Sequence, residues 1–175
     1  MSSSPVLTGL RRADHLGLTV PDLDQAHRFL VDVLGATYRY ALPRREGTGD
    51  WMSTHLGVDD RAAIAEIRFF ELGGLILEVF AWEAPEQQLV PPRNSDVGGH
   101  HLALYVDDLD RAVDDLRAAG VEVMGAPTAS VGAHEGQRWV YLRAPWGLQL
   151  ELVSYPGGRA VDADPARYRA DVARP

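Results

Sequence analysis

The sequence predicts an α+β fold built from two tandem βαβββ modules, and three observations carry that prediction. The stretch HLGLTVPDLDQA from His15 returns as HLALYVDDLDRA from His101 at a constant offset of 86 residues. It matches at His15/His101, Leu16/Leu102, Leu18/Leu104, Val20/Val106, Asp22/Asp108, Leu23/Leu109, Asp24/Asp110 and Ala26/Ala112. A second repeat, GLILEVF against GLQLELV, pairs Gly74/Gly147, Leu75/Leu148, Leu77/Leu150 and Glu78/Glu151 at an offset of 73. The apolar period, finally, switches between two and about 3.6 within each half, the signature of strands alternating with a helix.

Taken in order, His15 to Val20 and His101 to Val106 alternate, so Leu16, Leu18 and Val20, like Leu102, Leu104 and Val106, share one strand face and the His residues the other. An aspartate follows each strand, Asp22 or Asp108, suited to accept from the free amides of a helix's first turn. The stripe Leu23, Ala26, Phe29, Leu30, Val33 and Leu34 then runs to Gly35, and Leu109, Ala112, Val113 and Leu116 run to Gly120, each glycine a natural helix stop. Strand-like runs complete the halves: Ala65 to Leu72 and Leu75 to Trp82, then Val121 to Met124, Gln137 to Arg143 and Leu148 to Tyr155. The two offsets differ by 13, which places an insertion in the Pro- and Gly-punctuated stretch Ala41 to Asp60. The expected layout is a first module over residues 12–82, a linker over 83–98, a second module over 99–155 and a tail over 156–175, all one domain. In the tail, Asp164-Pro165 reads as a cap and first-turn proline for a short helix around Ala166 to Val172.

Composition narrows the chemistry. The chain has 175 residues and a net charge of −8, and its 17 basic side chains are all arginine. An acidic surface disfavours a nucleic-acid backbone. With no Cys and no Lys there is no disulfide frame, thiolate site, thiol nucleophile, Schiff-base amine or P-loop lysine. Met1 to Arg12 lacks the apolar core of a signal peptide, and no stretch approaches the roughly 18 uninterrupted apolar residues of a membrane span. A cytoplasmic protein with no membrane or nucleic-acid partner is the expectation.

Each half opens on a His and closes on a Glu. A carboxylate inside an apolar strand is costly unless its charge is compensated. Glu78 shares its strand face with Ile76, Phe80 and Trp82, too apolar for a solvated side; Glu151 shares its own with Gln149, Val153 and Tyr155. A lone strand His is ordinarily a packed or surface residue, and a lone strand Glu is ordinarily exposed. Repetition of both at equivalent places points instead to metal: if the modules are related by an approximate twofold, two imidazoles and two carboxylates neutralise one divalent ion and leave positions for substrate. His100 alternates to the face opposite His101 and reads as structural.

The segments DHLGLTVPDLDQAHRFLVDVLGATY, GGLILEVFAW, GGHHLALYVDDLDRAVDDLRAAGVEV and APWGLQLELVSYP resemble the vicinal oxygen chelate superfamily. That superfamily includes glyoxalase I, methylmalonyl-CoA epimerase, extradiol dioxygenases and the bleomycin- and fosfomycin-resistance proteins. The resemblance runs from about Arg12 to Tyr155. It implies modules that form a cupped, incomplete barrel around a divalent ion (Ni, Co, Mn, Zn or Fe), with His15, Glu78, His101 and Glu151 as ligands. A four-ligand set is most similar to the isomerase and lyase branch, glyoxalase I and the epimerases. It implies proton transfer beside a metal-bound carbonyl through an enediolate, with Glu151 or Glu78 as the base. Alternatives on the same scaffold are an Fe(II) ring-cleaving dioxygenase, which needs only two His and one carboxylate, and a non-catalytic antibiotic-binding protein.

The substrate is expected to be a small molecule of open identity, and a homodimer is expected. Tyr105 shares the inward strand face with His101, and Trp139 and Tyr141 alternate onto one face of their strand with Arg143, so Tyr105, Trp139 and Tyr141 are candidate substrate contacts. Arg138, on the opposite face, is a candidate anion contact. Trp51, His55 and His134 fall in stretches read as loops.

Overall fold

The alternating segments at the head of each half form β1 (His15–Thr19) and β6 (Leu102–Tyr105). In the computed structural model, which describes residues 7–168, they belong to two separate units. One unit takes the chain up to Leu23 together with Leu34–Pro85; the other takes Asp24–Val33 and the chain from Glu86 onward.

In the first unit β1 lies parallel to β5 (Leu75–Glu83), which runs antiparallel to β4 (Ala63–Leu72), itself paired with β2 (Thr37–Leu42). The two-residue β3 (Arg45–Glu46) also pairs with β4. On one face of this sheet lie Leu18, Phe70, Leu77 and Val79, all buried. On the other, Ile64, Ile67 and Phe69 pack with Ile76, Phe80 and Trp82. Pairing of β2 with β4 slips between Tyr38 and Tyr40, so Tyr38 meets Phe70 while Tyr40 stacks on Phe69. The insertion read between Ala41 and Asp60 is β3 followed by α2 (Trp51–Leu56). Trp51 and His55 therefore stand on a helix rather than a loop. The sequence signal for that helix is weak: Asp50 makes no side-chain cap, and the turn is secured instead by the fully buried Met52 and by Asp60, which accepts from the Ser53 amide.

The second unit repeats the plan without the insertion: β6, α3 (Leu109–Ala118), β7 (Glu122–Ala129), β8 (Arg138–Arg143) and β9 (Gln149–Ser154), in sheet order β6-β9-β8-β7. The Asp108 side chain accepts from the Arg111 amide, as its sequence position predicts, and Gly120 leaves the helix at φ 77°. Helix α3 buries Leu109, Val113 and Leu116, and β8 and β9 bury Val140, Leu142, Leu150 and Leu152 on one face of their sheet. The first-half helix stripe forms α1 (Leu23–Arg28), continued by a π-helical turn over Phe29–Val33. Phe29 meets Trp146 edge-on, with ring centroids 5.6 Å apart, which ties this segment to the second unit.

His134 ends a short 3-10 turn, Gly132–His134. The tail forms α4 (Ala160–Ala163) and a 3-10 turn, Pro165–Tyr168. Of the helix read at Ala166 to Val172, the part beyond Tyr168 lies outside the described residues. The chain is thus a mixed α+β fold with two open sheets, neither of which closes into a barrel.

Candidate functional site

Strand register brings His and Glu together in the same way in each unit. Parallel pairing sets Gly17 beside Glu78, and Ala103 beside Glu151. These are the two smallest side chains available, so the imidazole two residues earlier on the same face can reach the carboxylate. His15 Nε2 lies 3.0 Å from Glu78 Oε2, and His101 Nε2 lies 3.0 Å from Glu151 Oε2. The carboxylates are the more enclosed partners, 18% and 13% exposed against 44% and 36% for the imidazoles.

That separation suits two neighbouring donors on one ion, since ligand bonds of about 2.1 Å at right angles leave donors about 3.0 Å apart. The first pair makes a stronger statement. His15 Nδ1 also lies 3.1 Å from Asp14 Oδ2, so both ring nitrogens face carboxylate oxygens. A neutral imidazole donates to only one of them. The other contact needs a second proton or a cation. Accordingly the Asp14 hydrogen bond holds the His15 proton above its ordinary value, desolvation opposes it, and the Glu78 charge adds to the rise. Two imidazoles and two carboxylates are the donor chemistry of a first-row divalent ion.

Among the described residues, no group of three or more His, Asp or Glu side chains is already gathered as a metal cage. The four predicted ligands stand as two His–Glu pairs, one in each unit.

The remaining candidates separate by strand face. Tyr141 lies in register with Glu151, and its ring meets His101 edge-on with centroids 5.2 Å apart. Burial first, and then the Glu151 charge, push the Tyr141 phenol above its usual range, so it stays protonated. Trp139 packs against Tyr141 at 5.3 Å on the same face. Tyr105 is half exposed and rests on Tyr155 at 4.8 Å. Arg138 points the other way, making two hydrogen bonds of 2.7 and 2.9 Å to Asp110 at the start of α3. Its guanidinium is occupied there, apart from the Glu151 face. His100 Nδ1 donates to the Gly98 carbonyl, 3.0 Å away, in keeping with a structural role.

Asp14 is the partner that sequence reading missed. Its signal was the residue just ahead of the repeated His, an aspartate before His15 where His100 precedes His101.

Comparison with known proteins gives the chain a context. Residues 14–141 match the description of the Glyoxalase/Bleomycin resistance protein/Dioxygenase superfamily. The chain is 47% identical over 155 residues to a 2-epi-5-epi-valiolone epimerase of Actinomyces sp., covering 87% of this chain and 84% of that protein. It is 30% identical over 154 residues to the mitochondrial methylmalonyl-CoA epimerase of Mus musculus, covering 86% and 76%. Among solved structures, a glyoxalase family protein from Bacillus cereus is similar with a TM-score of 0.66 at 20% identity, over 86% of this chain and 98% of that one.

Proposed function

Because the chain belongs to the glyoxalase/bleomycin resistance protein/dioxygenase superfamily, we propose that it is a divalent-metal-dependent epimerase acting on a small hydroxylated ketone. The observation that carries the reading is the duplicated His–Glu pair, 3.0 Å in both units. The epimerase relative at 47% identity supports the reaction class and suggests 2-epi-5-epi-valiolone, a polyhydroxylated ketone, as the compound to try. We assign His15, Glu78, His101 and Glu151 as the donors for the ion. When bound, a divalent ion polarises a carbonyl oxygen and lowers the cost of ionising the neighbouring C–H bond.

The chain's own groups handle the proton. Epimerisation breaks a C–H bond next to the carbonyl and remakes it from the opposite face, so atoms balance with no other reactant. A carboxylate accepts the proton, and a carboxylic acid returns one. Glu151 and Glu78 are the two groups fitted for this, enclosed yet not fully shut off from solvent, with Glu151 placed first because Tyr141 and Trp139 lie beside it. The His residues position these carboxylates, since each Glu has its imidazole as the close polar neighbour.

The test is to load the protein separately with Mn, Co, Ni and Zn and to incubate it with 2-epi-5-epi-valiolone in deuterium oxide. The expected result is one deuterium on a carbon beside the carbonyl, with the epimer growing at the same rate. Absence of both with every metal overturns the proposal.

A further inference from the structure

The two half-sites share a frame but not its lining. Across the β4–β5 pair, Glu78 stands in register with Phe69; across β8–β9, Glu151 stands in register with Tyr141. Two residues earlier on each neighbouring strand, Ile67 faces Phe80 and Trp139 faces Val153. At these matched places the first unit sets Ile67 and Phe69, which carry no hydrogen-bonding group, with Tyr40 stacked on Phe69 and Trp82 on Phe80, whereas the second sets an indole, Trp139, and a phenol, Tyr141.

Surroundings differ as well. Phe69 is buried, with the Tyr40 ring stacked on it at a centroid distance of 4.4 Å. The Tyr141 ring meets His101 and Trp139, and its hydroxyl makes no hydrogen bond among the described residues. Glu151, in register with Tyr141, has its Oε2 paired with His101 Nε2 at 3.0 Å. The Tyr141 hydroxyl is open to solvent, so a bound ligand oxygen takes the place of water as its acceptor. A phenol with an ordinary value near 10 is a neutral donor at pH 7.

We infer that Tyr141 is the specificity-determining residue of the site, donating a hydrogen bond to a substrate hydroxyl or carbonyl oxygen beside Glu151. The second unit then reads the oxygenated edge of the ligand, with Trp139 next to it as a flat apolar surface for a ring face. The first unit's Phe69 and Ile67 demand no such oxygen. This assignment rests on the epimerase reading and narrows its substrate class to ring compounds with an oxygen next to the reacting carbon.

The experiment is Tyr141→Phe in the metal-loaded full chain, which keeps both ring contacts and removes one O–H. Binding of 2-epi-5-epi-valiolone is read by tryptophan fluorescence, turnover by NMR, and metal content and melting temperature in parallel. The expected result is a Kd and KM raised roughly tenfold, as for loss of one neutral hydrogen bond. Metal content and melting temperature stay at wild-type values, and kcat changes less than KM. Binding and kcat/KM within about twofold of wild type overturn the inference while leaving the epimerase reading intact. Loss of the metal in Tyr141→Phe also overturns it, because the residue would then be a support for His101. A wild-type protein that neither binds nor epimerises this ketone overturns the substrate class itself.

Discussion

His15 lies between two carboxylates, Asp14 and Glu78, whereas His101 faces one, Glu151. In metal-free protein the first imidazole should therefore titrate above its ordinary value. The hydrogen bond with Asp14 raises the folded-state pKa, so its stabilising contribution is complete below the unfolded value of 6.5 and disappears as pH rises through the raised value. NMR titration of the His15 ring should show that midpoint, and Asp14→Asn should bring it down toward 6.5; an unmoved midpoint would mean that Asp14 does not set it. Replacing either carboxylate tests the proton-transfer roles: Glu151→Gln and Glu78→Gln should each slow deuterium incorporation by about 10²–10⁴-fold. Retained exchange in one of them would reduce the base assignment to the other. The His and Glu positions were legible in the sequence because the repeat preserves their identity. Asp14 and the Phe69/Tyr141 contrast were not, because a repeat reveals what is kept and hides what differs, and matching Phe69 with Tyr141 requires the strand register.

Among the elements, the strands and α3 follow from local signals strong enough to be read directly. Alternation places Val140, Leu142, Leu150 and Leu152 together on one face, where they are buried, and leaves Tyr141 and Glu151 on the other. Asp108 caps α3 through the Arg111 amide at 3.0 Å, so Asp108→Ala should cost about 1 kcal/mol in denaturant unfolding. No change in the unfolding midpoint would show that the cap contributes nothing in solution. A larger loss belongs to Phe29→Ala. Phe29 is buried against Trp146, and its removal should destabilise the protein by about 3–5 kcal/mol. Only the helical stripe was readable at Phe29. Its partner is far away in sequence, and nothing local announces that Asp24–Val33 joins the second unit or that α1 ends as a π-helical turn. Helix α2 was missed for a related reason: it is held by burial of Met52 and by Asp60, both tertiary effects, rather than by capping or an apolar stripe.

At the level of the molecule, the tandem βαβββ plan was written in the 86- and 73-residue offsets, and their difference is taken up by β3 and α2. No helix among the described residues is long and apolar enough to cross a membrane. The expected homodimer is tested by light scattering on the eluting peak, which should give twice the 19.2 kDa chain mass; a single-chain mass across micromolar concentrations would contradict it. Function depends on whether two chemically similar half-sites, one per unit, are both metal ligands. The most direct measurement is elemental mass spectrometry on tag-free protein beside His15→Ala and His101→Ala. The duplicated pairs predict about one divalent ion per chain in the wild type, lost to a similar degree in both variants. Full retention of the ion in either variant, or none bound by the wild type after reconstitution, would contradict the assignment.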